Sequence, residues 1–226
     1  MTRTTNARLA GFMFLFYIVT GVTSMVVYGR AARGEGTAAT LASIAQHATT
    51  VRLTVVLTLL QFVAAVVLGV TLYALTRDQD RDLAAMALCF RVTEGVIAAV
   101  SSVRTLGLVS VATASTAAAS PEAASALALG ALLLKQGGWT GSVAAFCFAV
   151  GSTLFSCLFL RARSIPVLLA WLGVLASALL VAALPAQLAG FPLGPVSWLM
   201  WMPMLVFEVA LALWLLIKGV AVPADR

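Results

Sequence analysis

The chain has 226 residues, of which 62% are apolar and only 10% charged, against about 25% charged in a typical soluble domain. That leaves too little polar surface for a water-soluble globule. The net charge of +6 does not mark a nucleic-acid binder, because the basic residues sit singly or in pairs at the ends of apolar runs and not along one face. Such placement suits loops beside anionic lipid headgroups.

Runs of mostly apolar residues long enough to cross a membrane are taken in chain order, since about 20 residues at 1.5 Å rise cover a hydrocarbon core of roughly 30 Å. Leu9–Tyr28, preceded by Arg3 and Arg8, has the outline of a signal peptide. It is too long for that role and no A-x-A site follows, so it reads as a retained first crossing. Gly29–Arg52 is a long loop with a short helix around Thr37–His47, and Leu53–Leu75 is the second crossing. Arg77–Asp82 reads RDQDRD, a charged turn, and leads into the third crossing, Leu83–Val103, apolar except for Arg91 and Glu94.

Thr105–Gly138 is expected to be a second long loop containing a helix at Pro121–Gln136. Ser120 is its N-cap, Pro121 stands in its first turn, Glu122 complements its dipole and Gly137 ends it. This helix is expected to be interfacial or re-entrant, with a seventh crossing as the alternative. Trp139–Leu160 is the fourth crossing, and RARS at 161–164 leads to Pro166 and the fifth, Val167–Leu188. In the sixth, Val196–Ile217, Pro203 cannot donate to the carbonyl of Leu199, which predicts a kink ahead of Glu208. The reading is an all-α integral membrane bundle, one transmembrane domain over 1–226 with six crossings and an interfacial helix. No internal repeat is evident.

With six crossings, Arg3, Arg8, Arg77, Arg81, Arg161, Arg163, Lys218 and Arg226 share one side and Arg30, Arg33, Arg52, Arg104 and Lys135 the other. Eight against five predicts both termini in the cytoplasm, with the chain in the inner (cytoplasmic) membrane of the cell. Trp139, Trp198 and Trp201 at one boundary and Trp214 at the other read as interfacial anchors, and Arg104 as a side chain reaching its interface. Cys89, Cys147 and Cys157 lie in apolar runs without metal or dithiol spacing and read as small apolar fillers. His47, the single histidine, sits in a loop with no second ligand, against a bis-histidine haem. No cofactor and no metal site are expected. The small-residue spacing of Gly173 and Ser177 is what chance gives in an alanine-rich chain.

Arg91, Glu94 and Glu208 are the exceptions. A charged group at a helix centre costs roughly 2.5–3.5 kcal/mol against lipid, so three would cost roughly 8–10 kcal/mol, comparable to a domain's stability. They must face the bundle interior. Arg91 and Glu94, three residues apart, share a helix face and can pair. Counted from the cytoplasmic boundary, Glu94 and Glu208 lie roughly 16 and 15 Å deep, Arg91 roughly 12 Å and Tyr17 roughly 13 Å. Gln61 is shallower from the outer side yet able to hydrogen-bond into the same space. One positive and two negative charges predict that a carboxyl holds a proton or that a cation shares the site.

No Walker loop, GxSxG, HExxH or dinucleotide fingerprint is present, and neither lysine is placed for a retinal Schiff base. The first reading is therefore a carrier or sensor whose Arg91, Glu94, Glu208, Tyr17 and Gln61 line a pocket for a proton, cation or small ligand. The second is a non-catalytic scaffold in which the cluster is a polar staple between helices, with a protein partner or a second copy bound. The third is an enzyme acting on lipid, with the carboxyls as acid and base. Membrane lipid is a partner in every reading.

Short pieces in order also resemble a family. They are Ala7-Arg8-Leu9-Ala10-Gly11, Thr20-Gly21 with Ser24, Arg91 with Glu94, Arg163-Ser164-Ile165-Pro166 followed by Trp171-Leu172-Gly173, and Glu208 ahead of Leu213-Trp214-Leu215-Leu216 and Lys218-Gly219-Val220. Together they resemble the bacterial multi-pass family catalogued as domain of unknown function 4386. The fourth crossing, reading GSVAAFCFAVG, departs from that family's glycine- and phenylalanine-rich stretch. The resemblance implies six or seven membrane crossings and no assigned activity.

Overall fold

A computed structural model describes residues 2–117, 121–191 and 194–221. Among them the secondary structure is entirely helical: α1 (Arg3–Ala31), α2 (Gly36–Gln46), α3 (Ala48–Thr76), α4 (Arg81–Ala117), α5 (Pro121–Ala162), α6 (Val167–Leu188), α7 (Val196–Leu199) and α8 (Met202–Ile217). Six stretches are long and apolar enough to cross a membrane, the sixth being α7 and α8 together. Large apolar side chains stand exposed along them, among them Val19, Val100, Val103, Leu168 and Ile217. In water such a surface would drive association; in lipid it is solvated. The protein is a multi-pass helical membrane protein.

Several threonine and serine hydroxyls inside the crossings donate to backbone carbonyls three or four residues back, as in Thr54 to Val51, Thr76 to Leu72 and Ser177 to Gly173. Each polar side chain is thereby satisfied without a neighbour, which is what a segment in hydrocarbon requires. At the turn before α4, Asp80 Oδ1 accepts from the backbone N–H of Leu83 at 3.0 Å. The charged turn read from RDQDRD thus works as a helix N-cap.

The chain divides into two compact units. The first comprises Met1–Tyr17, Val63–Gly95 and Ser142–Arg226, the second Ile18–Phe62 and Val96–Gly141. In the first unit, Phe14, Leu72, Phe148, Phe155, Phe159, Phe207 and Leu211 belong to one buried apolar core. Gly11 lets α1 lie directly on α8, since a Cβ there would stand 2.6 Å from the Ala212 carbonyl oxygen. The second unit has its own core of Ala31, Leu41, Ile44, Val51, Leu108, Val109 and Ala112.

Four expectations are corrected or refined. The helix expected at Pro121–Gln136 is not separate: α5 is continuous for 42 residues, straight through Gly137 and Gly138. Two glycines cost a helix about 1 kcal/mol each, less than leaving backbone groups unbonded in an apolar setting. The N-cap assigned to Ser120 and the position of Arg226 lie outside the described residues, as does the side chain of Glu122.

Arg104 does not simply reach for an interface. Its Nη1 donates to the Leu133 carbonyl at 2.9 Å, and a Cβ on Gly137 would fall 2.7 Å from the guanidinium.

The kink expected at Pro203 falls where the regular helix is interrupted. α7 ends at Leu199 and α8 begins at Met202 with proline in its first turn, where the missing N–H is not needed.

Gly173 is not a chance spacing. A Cβ there would stand 2.5 Å from the Phe207 ring and from Ser156 Oγ, at the packing of α6 on α8.

Candidate functional site

The polar cluster is built in the first unit by α1, α3, α4, α5 and α8. Arg91 and Glu94 project from one face of α4, as a three-residue spacing dictates, and Arg91 Nη1 lies 2.9 Å from Glu94 Oε2. Both side chains are buried, at 2% and 6% exposure. Burying such a pair costs several kcal/mol of desolvation per ion, so it persists only where geometry and surroundings compensate.

The surroundings are visible on each side of Arg91. Its guanidinium carbon lies 5.1 Å from the Tyr17 ring centre and 4.9 Å from that of Phe148, over electron-rich faces that attract a cation. The Tyr17 hydroxyl donates to Glu94 Oε1, so one oxygen of that carboxylate takes a hydrogen bond and the other the ion pair. The aliphatic stem of Arg91 runs past Gly69 of α3 and Gly151 of α5. A Cβ would come within 3.3 Å of Arg91 Cβ at the first position and 3.2 Å of Arg91 Cγ at the second. Both glycines therefore leave space for this one side chain.

Glu208, on α8, is 6% exposed. Its charge interacts with those of Arg91 and Glu94, yet among the described residues it forms no ion pair within 4.0 Å. Its Oε1 is buried without a hydrogen-bond partner there. Arg91 Nε, Nη1 and Nη2, Glu94 Oε2 and Ser156 Oγ likewise have no hydrogen-bond partner there, although Arg91 Nη1 and Glu94 Oε2 are held as an ion pair. Arg91, Ser152 and Ser156 line one cavity of about 10 Å³, closed by Phe155, Phe159 and Phe207. That is room for about one water molecule. An organic ligand does not fit.

Of the residues singled out from sequence, Arg91, Glu94 and Tyr17 meet directly, and Glu208 lies within electrostatic reach. Gln61 belongs to the second unit, where its side-chain nitrogen sits 2.7 Å from the place a Cβ on Gly21 would occupy. Sequence reasoning missed Gly69, Gly151, Phe148, Ser152 and Ser156. A signal existed for some of them: isolated glycines within apolar helices, and two serines one turn apart on the helix that also carries Gly151.

No curated protein and no solved structure matches the chain. A family profile, described as Domain of unknown function (DUF4386), matches residues 9–219, nearly the whole chain and all of the resemblance except Ala7, Arg8 and Val220. The chain, with its six stretches able to span a membrane, belongs to the DUF4386 family.

Proposed function

We propose that the protein is a small proton-responsive carrier or sensor of the bacterial inner membrane, with Glu208 as the group that gains and loses the proton beside the Arg91–Glu94–Tyr17 assembly. The observation that carries this reading is the asymmetry between two buried carboxyls. Glu94 has a cation 2.9 Å from one oxygen and a hydroxyl donating to the other, whereas Glu208 forms no ion pair among the described residues. An uncompensated charge in an apolar core is unfavourable, and adding a proton is the smallest change that removes it. A cavity the size of one water favours a proton over the organic ligands considered from sequence.

The test compares wild type with Glu208→Gln by thermal unfolding between pH 5 and 8, at fixed protein and detergent concentrations. Wild-type stability is expected to change across the series and the variant's to stay flat. Two parallel profiles would exclude Glu208 as the responsive group.

The staple reading draws support from the tight fit of Arg91 between Gly69 and Gly151, which suits a part built to hold helices together. It predicts that Glu208→Gln alters stability equally at every pH. In either reading both termini are cytoplasmic, because eight basic residues flank that side against five on the other. Reporter fusions at the two ends should give the same, inward-facing signal.

A further inference from the structure

Two of the family-like segments, RSIP at 163–166 and KGV at 218–220, are far apart in sequence and unused by the buried cluster, yet they meet. The Ala221 N–H donates to the Ser164 carbonyl at 3.0 Å. Between them lies an open recess of about 400 Å³ whose lining includes Arg163, Ser164, Pro166, Trp214 and Lys218.

Its chemistry has one sign. Arg163 and Lys218 are both exposed, and among the described residues neither makes an ion pair. The recess also holds the start of α6, where Pro166 supplies no side-chain cap. The first N–H groups of that 22-residue helix thus add their positive end to the two cations. Ser164, 3% exposed and with no partner for its hydroxyl among the described residues, is part of the same lining.

Backbone geometry shows that a side chain is kept here against its preference. α5 closes with the Ser164 N–H on the Phe159 carbonyl and the Arg163 N–H on that of Leu160, a helix ending that usually places glycine at its left-handed position. That position is Arg163, at φ +47. The corresponding turn after α8 does use glycine, Gly219 at φ +73.

We propose that this recess binds the phosphate of an anionic phospholipid headgroup. Two cations and a helix N-terminus recognise a phosphate, and the apolar flank selects a lipid over the free ion. Leu168 is 85% exposed and Ile217 72% exposed, one beyond the start of α6 and one at the end of α8, where acyl chains would run. Trp214 is half-buried between headgroup and chain levels, the depth its ring prefers.

The test is lipid retention by native mass spectrometry, with wild type, Arg163→Gly and Lys218→Gln released from the same bilayer of phosphatidylglycerol and phosphatidylcholine. Arg163→Gly removes the guanidinium while relieving the left-handed backbone, so its unfolding temperature in lipid-free detergent should equal or exceed that of wild type. Wild type is expected to retain phosphatidylglycerol preferentially, and each variant to lose that preference about five- to tenfold. Equal retention of the two lipids by wild type, or an undiminished preference in both folded variants, would overturn the proposal. So would displacement of the lipid by millimolar inorganic phosphate, which would mark a site for the free ion.

Discussion

At the residue scale, Arg91 dominates because a guanidinium on a side chain only 2% exposed is tolerable only with its partner in place. Arg91→Met would strand the Glu94 carboxylate and should lower unfolding stability by about 3–5 kcal/mol. Adding Glu94→Leu should recover most of that loss, since an apolar pair of similar volume is often no worse than a buried ion pair. Denaturation of both variants in one detergent decides it, and a double variant as unstable as the single would show that Glu94 is not the group left exposed to the loss. Tyr17→Phe keeps the ring under the guanidinium and removes only the hydroxyl that donates to Glu94. A hydrogen bond to a charged group contributes about 1.5–3 kcal/mol, and the same assay should register a loss of that order. The Arg91–Glu94 pair was legible in the sequence because helical spacing alone puts them together. The phenyl ring of Phe148 and the gaps at Gly69 and Gly151 were not, because they depend on which helices become neighbours.

Elements make a different contrast visible. In α5, Gly138 has open space where a Cβ would be, while a Cβ on Gly137 would run into the Arg104 guanidinium at 2.7 Å. Gly138→Ala should therefore stabilise the protein by up to about 1 kcal/mol through helix propensity. Gly137→Ala should be neutral or destabilising by about 1–3 kcal/mol. Matching thermal shifts for the two would contradict the packing of Arg104 on α5. Gly11→Ala should be worse tolerated, because the obstacle is the Ala212 carbonyl of α8, which cannot turn aside as a side chain can. Consecutive glycines ordinarily punctuate a chain, and that is why residues 121–136 read as a helix of their own. The bond from Arg104 to Leu133 comes from another element and leaves no local trace. Pro203 was legible as an interruption because its missing N–H cannot pair with Leu199, but propensity does not separate a kinked helix from two helices end to end.

For the whole molecule, hydrophobicity settled the helical membrane class and, among the described residues, the six stretches long and apolar enough to cross. Hydropathy carried no information on where helices end beyond the hydrocarbon. α4 with 37 residues and α5 with 42 rise about 55 and 63 Å, well past a core of roughly 30 Å. α6 is the opposite case. Its 22 residues rise about 33 Å, and both of its ends are fixed, by the RSIP turn on one side and Gly190 at φ +90 on the other. Its length therefore matches the bilayer closely, as does that of the sixth crossing, Val196–Ile217, also 22 residues. In lipids with short acyl chains α6 must tilt or lift apolar turns into water, and in long-chain lipids its ends must sink below the headgroups. Reconstituted into a series of phosphatidylcholines of increasing chain length, the protein should show its highest unfolding temperature where the hydrocarbon is close to 30 Å and fall away on either side.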